Sequence, residues 1–219
     1  MKQLACLMKK DLFLMGNYLY FIPAFTLALP FLYCFLIPEY ATQKGTGLIV
    51  LIVSSVYSEF LAYEQIFLKD AEYPRALSLL CAAPYRRRDI ISSRYLLFCL
   101  VFAATALIYT IPSLFLPSSF RLSFMEYAVA FLLNVLLFGF LTPLQHLFGF
   151  ENSKFVPVLV IIPSCFLLPL LLKTDLLELR WLNRLPVLLV FLLLLGVCAF
   201  LLFLSAEITI RIFQRKELM

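Results

Sequence analysis

Charge is what this chain has least of. Only 14% of its 219 residues are Asp, Glu, Lys or Arg, while 63% are hydrophobic. With a mean hydropathy of +0.98, that composition lies outside the range of soluble domains. The motifs for independent chemistry are missing as well. No GxxxxGKS or GxxxxGKT loop is present, and no GxGxxG after a strand, so neither route to cradling a nucleotide is open. HExxH, GxSxG and the paired glutamates of an intramembrane metalloprotease are absent too. His146 is the only histidine, which excludes a multi-histidine metal site. The six cysteines (Cys6, Cys34, Cys81, Cys99, Cys165, Cys198) stand singly without CxxC spacing and read as small apolar packing residues. No catalytic residue and no metal ligand is assigned. A channel reading lacks a filter-like sequence or an acidic ring within a span. No basic run with interleaved aromatics forms a separate nucleic-acid-binding domain.

What is there is a set of long apolar runs without strand alternation. Each is long enough to cross ~30 Å of hydrocarbon as a helix rising 1.5 Å per residue. The expected fold class is all-α: a polytopic membrane protein with spans at about 18–37, 46–66, 91–116, 124–145, 155–172 and 185–207, all in a single domain over 1–219. Thirteen of the eighteen Lys and Arg residues fall on one side of that layout. The asymmetry places both termini on the cytoplasmic side, and the formal charge of +5 then reflects topology.

Polar residues inside the spans are few and therefore informative. Residues 1–17 set Leu4, Leu7, Met8, Phe13 and Leu14 against Lys2, Lys9, Lys10 and Asp11, the pattern of an amphipathic interface helix. In span 2, Ser55, Glu59 and Tyr63 share one face at four-residue spacing. An ionised acid near mid-membrane costs at least ~2.5 kcal/mol, so Glu59 should face protein or water. A structural hydrogen bond or snorkelling would satisfy it equally. Tyr109 in span 3 and Asn134 in span 4 join Ser55, Glu59 and Tyr63 as candidates for a substrate pathway. Pro157, Pro163 and Pro169 break span 5, and Lys173 to Arg184, with Trp181, reads as a short helix at the outer interface.

The one long segment of mixed charge runs from Glu64 to Tyr95. Within it a helix is expected over about 70–83: Pro74 suits a first turn, Asp70 and Glu72 suit the positive end of the dipole, and Pro84 stops the helix. Tyr73, Leu77 and Leu80 fall on one face, Arg75 on the other, and Arg86, Arg87 and Arg88 follow as a basic knot. Such a helix is too short to span; it lies along the interface or in a partner's groove.

The stretch LSLLCAAPYRRRDIISSRYLL resembles the cytoplasmic loop of type-2 ATP-binding-cassette (ABC) exporter permeases. There a Leu-Pro-x-Arg-Lys-x-Ile-Val-x-x-Lys-Tyr pattern follows the second span. Pro84, Arg86 or Arg87, Asp89, Ile90, Ile91, Arg94 and Tyr95 fill it, with Ala83 in place of the leucine. The segment PLQHLFGFENSK is similar to the family's second inner loop, with His146 or Leu147 where a basic residue is common. The resemblance implies a coupling helix at 70–83 docking on a separate ABC ATPase subunit, present in two copies, which binds the ATP and Mg2+. It implies a second contact through Gln145, His146, Glu151 and Lys154, and assembly as a homodimer or with a close paralogous permease. The location would be a bacterial cytoplasmic membrane, and the cargo a hydrophobic or amphipathic peptide, drug or lipid. The alternatives are an ATPase-independent channel or immunity-type membrane protein and, less well supported, an intramembrane enzyme.

The topology has a direct test. Cysteine introduced by Ser119→Cys or Asn183→Cys should react with an impermeant maleimide from outside the cell. Labelling of either position only from the cytoplasm would contradict the layout.

Overall fold

A chain this apolar has to satisfy its backbone polar groups inside each segment, and helices do so without a partner strand. The computed structural model describes residues 2–36, 38, 45–73, 87–148 and 187–216. These form α1 (Lys2–Met15), α2 (Tyr18–Leu36), α3 (Thr46–Glu72), α4 (Arg87–Phe115), a 3-10 turn (Ser118–Phe120), α5 (Phe124–Phe148) and α6 (Val187–Lys216). Among the described residues, α2 to α6 provide five helices long and apolar enough to cross a membrane. They coincide with the first, second, third, fourth and sixth expected spans. The fifth span at 155–172, the 173–184 segment and positions 74–86 of the docking loop lie outside the described residues.

Local chemistry sets the helix ends. Gly16 adopts φ 54°, a left-handed conformation that only glycine takes without strain, and turns the chain from α1 into α2. At the start of α5, the Glu126 carboxylate accepts from the Ser123 N–H at 2.6 Å, and the Ser123 hydroxyl accepts from the Glu126 N–H at 3.4 Å. This is a capping box. α3 runs further than the sequence pattern indicated. It continues to Glu72, and the Tyr73 N–H closes its last turn on the Lys69 carbonyl at 3.0 Å. Pro74 is the physical stop, because the residue before a proline is pushed out of helical geometry. Asp70 and Glu72 therefore belong to the C-terminal turn of α3, not to the N-terminus of a separate docking helix.

α3 is the least apolar of the five long helices and the most buried: 78% of its most apolar window is enclosed, against 17% for α2 and for α6. In lipid that order is expected, since apolar side chains gain nothing by leaving a hydrocarbon environment while polar ones must leave it. α2 and α4 pack against α3. α6 lies along α5 and touches α4. α1 crosses the end of the bundle rich in Lys and Arg, resting on α4 and α3.

The buried line of α1 is Leu7, Asp11 and Met15. Asp11 sits in the protein and Phe13, expected among the apolar contacts, is 74% exposed beneath the Lys9 ammonium. The reason is angular: at 100° per residue, position 13 points about 200° away from position 11.

Prolines within helices leave carbonyls to be satisfied elsewhere. Pro143 in α5 cannot bond the Gly139 carbonyl, and the Ser205 hydroxyl of α6 donates to that oxygen at 2.7 Å. The Tyr95 hydroxyl of α4 joins this point, 2.7 Å from Ser205 Oγ and 3.0 Å from Thr209 Oγ1.

The opposite end of the bundle closes on Tyr109. Its hydroxyl donates to the Gly47 carbonyl at 3.1 Å and approaches the Phe120 carbonyl at 3.4 Å. A Cβ on Gly47 would stand 2.9 Å from Phe120 backbone atoms, whereas one on Gly139 would stand 3.6 Å from Ser205 Cβ, an ordinary contact. Gly47→Ala should therefore destabilise the protein by about 1–3 kcal/mol, as overpacking does, and Gly139→Ala should be near neutral. Thermal unfolding in detergent checks both, and equal behaviour of the two variants would contradict this packing.

Candidate functional site

Four side chains in the first turns of α4 reach every neighbouring helix at the basic end except α2. Ser93 Oγ lies 3.3 Å from Asp11 Oδ2 of α1 while donating to its own helix at the Ile90 carbonyl, 2.8 Å away. Asp11 is held from the other side by Lys10, 2.8 Å from Oδ1. Arg94 forms an ion pair through Nη2 with Asp70 Oδ2 of α3. Its guanidinium carbon sits 4.8 Å from the centre of the Phe67 ring, and Nη1 lies 3.5 Å from His146 Nε2 of α5. The Arg94 carbonyl accepts from the Tyr63 hydroxyl of α3. Arg88 pairs with Glu207 of α6 at 2.5 Å, and Tyr95 bonds the hydroxyls of α6 described above.

These contacts differ in weight. Arg88 is 60% exposed, so its ion pair contributes little. The Arg94 side chain is only 4% exposed and that of Asp70 only 17%. Their pair is enclosed, charge-assisted and backed by an aromatic face, an arrangement suited to guanidinium. His146 completes the ring of aromatics, its imidazole centre 5.2 Å from that of Phe67 and 6.0 Å from that of Phe213, edge to face with both.

A second polar region lies deeper, between α3 and α5. Val56, Glu59, Phe60 and Tyr63 on α3 and Leu137, Phe138, Leu141, Thr142 and Gln145 on α5 line a partly open cavity of about 40 Å³. Glu59 is 5% exposed, and among the described residues its Oε1 has no hydrogen-bond partner. Beyond the cavity, Asn134 Nδ2 donates to Ser55 Oγ at 2.9 Å and to the Ala130 carbonyl at 2.8 Å, joining the two helices again.

The candidates from the sequence thus fall into separate places. Asp70 and His146 gather at the basic end, with Glu72 and Tyr73 exposed beside them, while Gln145 lines the cavity. Glu59 and Tyr63 share the cavity, Ser55 and Asn134 bond each other, and Tyr109 closes the far end. Arg87 opens α4. Arg75, Leu77, Leu80, Pro84, Arg86, Glu151 and Lys154 lie outside the described residues. Arg94 carries most of the hub, yet in the sequence it entered only as one position of the loop pattern. The available signal was an arginine facing into the apolar run RYLLFCLVF, where a charge needs a named partner. Asp11 was placed with the lysines because its neighbours are charged; its four-residue offset from Leu7 and Met15 was the better guide.

The sequence model of one family, described as ABC-2 family transporter protein, matches residues 6–214, nearly the whole chain. The chain belongs to the ABC-2 transporter family. Searches among curated proteins and among solved structures gave no match. An ABC-2 protein of this kind is the membrane subunit of an ABC transporter and works with an ABC ATPase subunit. In this ABC-2 protein the hub lies at the mouth of the segment between α3 and α4, since Asp70 and Arg94 stand on either side of it.

Breaking one partner of an enclosed pair strands the other charge, at a cost of about 3–5 kcal/mol when burial is complete. Asp70→Asn should lower stability by about 3 kcal/mol by that mechanism. Adding Arg94→Met should recover part of the loss, because no charge is then left unpaired. A double-mutant cycle on thermal unfolding measures this, and simple additivity of the two losses would show that the pair is not coupled.

Proposed function

We propose that this chain is the permease half of an ATP-driven exporter for a hydrophobic or amphipathic substrate. The observation that carries the reading is the hub at the base of α4. The segment 74–86 enters from α3 just after Asp70 and leaves into α4 just before Arg94, and those two residues are paired. A force on the segment would act on α4, and through Ser93, Arg94 and Tyr95 on α1, α3, α5 and α6. A docking element needs that kind of mechanical connection to the bundle.

In this reading the apolar face formed by Leu77 and Leu80 seats in a groove of a separate ABC ATPase, with Arg75 and the basic knot from Arg86 on the rim. Residues 70–72 belong to α3 and take no part in a separate docking helix. The ATPase supplies ATP and Mg2+ chemistry, two ATPase copies serve two permease copies, and Gln145 and His146 stand where a second contact from the loop after α5 begins. Both termini, with the hub, face the ATPase in the cytoplasm. Export as the direction, and an amphiphile as the cargo, rest on the likeness of the loop to exporter permeases. They rest also on the apolar character of the spans.

Leucines that fill a groove contribute about 2–5 kcal/mol each when packed as in a core, and an unpaired buried charge costs more than their loss. Leu77→Asp with Leu80→Asp should abolish co-purification of the partner ABC ATPase, with membrane insertion intact. Normal recovery of the ATPase would place the dock elsewhere.

A further inference from the structure

The cavity between α3 and α5 has a chemistry of its own. Glu59, Thr142 and Gln145 are the polar residues that line it beside Tyr63, and all three are buried. The rings of Phe60, Tyr63 and Phe138 form much of the rest, with Val56, Leu137 and Leu141. At about 40 Å³ it has room for two or three water-sized groups and no more. Glu59 lies on the helix most enclosed by the others, and among the described residues no Lys or Arg pairs with it. A lone carboxylate in such a place is costly unless it takes up a proton or a cation accompanies it.

We propose that this cavity seats the primary ammonium head of a cationic amphiphile, with Glu59 as its counter-charge. The inference rests on the permease reading for its physiological meaning, though not for its test. An ammonium has three donors and no acceptor, which matches a carboxylate, a hydroxyl and an amide oxygen. Aromatic faces add cation–π attraction at a desolvated site. A hard metal cation asks for six or more oxygens, more than these side chains offer, and among the described residues no Cys or His lines the cavity for a softer one. Phe60, Leu137 and Leu141 are only half buried, so they form an apolar rim that suits the first carbons of an alkyl chain. The substrate class assigned is therefore narrower than "amphiphile": a long-chain amine or a peptide that presents a lysine beside apolar residues.

The test uses the full chain in nanodiscs of zwitterionic phosphatidylcholine, with dodecylammonium as probe and dodecanol as its uncharged counterpart. Partition into lipid is common to all samples, so the comparison is between proteins. Wild type should bind dodecylammonium at least tenfold more tightly than Glu59→Gln, and dodecanol equally in both. Equal ammonium affinity in the two proteins overturns the proposal and makes Glu59 a structural residue. Dodecanol binding as tight as dodecylammonium overturns it as well. If Glu59→Gln is not monodisperse, Thr142→Val carries the measurement: a loss of threefold or more supports the site, and affinity within twofold of wild type overturns it. The assay contains no ATPase and no transport. A negative result here leaves the permease reading intact, and a failed ATPase pull-down leaves the ammonium site intact.

Discussion

Arg94 cannot give up its proton, and the chain has enclosed its side chain among helices. That constraint orders the basic end of the molecule. The guanidinium needs a carboxylate, and Asp70 is brought to it by extending α3 two turns beyond the apolar core of the span. It tolerates an aromatic face, and Phe67 lies one turn before Asp70 on the same helix. Even the backbone at this position is used, since the Tyr63 hydroxyl finds the Arg94 carbonyl. The arginine thus holds α3 and α4 together at the point where the chain leaves the bundle and returns to it. Ser93, its neighbour, brings in α1 through Asp11, so adjacent residues of one helix meet opposite sides of the structure.

The same logic explains why the bundle is organised around its polar residues. Helices in hydrocarbon are not driven together by burial of leucine, because lipid offers leucine an equivalent environment. What discriminates one packing from another is where hydroxyls, amides and freed carbonyls find partners. Pro143 releases the Gly139 carbonyl, Ser205 takes it, and Tyr95 and Thr209 complete the group, so three helices meet at one proline. Asn134 and Ser55 join α5 to α3 nearer the opposite end. Tyr109 joins α4 to the start of α3 and to the turn at Phe120. Between these fixed points lies the cavity at Glu59, the part of the α3–α5 contact that contains space instead of a bond.

A bundle pinned at both ends and open between them is suited to passing force to a site in its middle. Displacement at the base of α4 changes the setting of α3 and α5 together, because Arg94 touches Asp70 on one and His146 on the other. Those two helices are the walls of the cavity. The hub at Arg94 and the cavity are adjacent, with Tyr63 common to both: its hydroxyl bonds the Arg94 carbonyl and its side chain lines the cavity.

The class of protein, the helical segments and the membrane environment were legible because they follow from composition and from run length, which are properties of the chain alone. Family membership was legible in the loop pattern around Pro84 and Arg94. The polar face of α3 was legible as well: a helix with serines, a tyrosine and a glutamate on one face had to turn that face to protein or water, though its rank as the most enclosed helix came only from the structure. Partnerships were not. Whether Asp70 begins one helix or ends another turns on a single proline, and the dipole argument for the wrong end was as good as that for the right one. Asp11 lies among lysines in sequence and inside the protein in space, because helical phase, not neighbouring charge, decides which side a residue faces. Arg94 and Asp70 are 24 positions apart and Pro143 and Ser205 are 62 apart. Local propensity carries no information over such separations. Only the packing of helices, which selects among many equally apolar faces by the few polar contacts each allows, could bring them together.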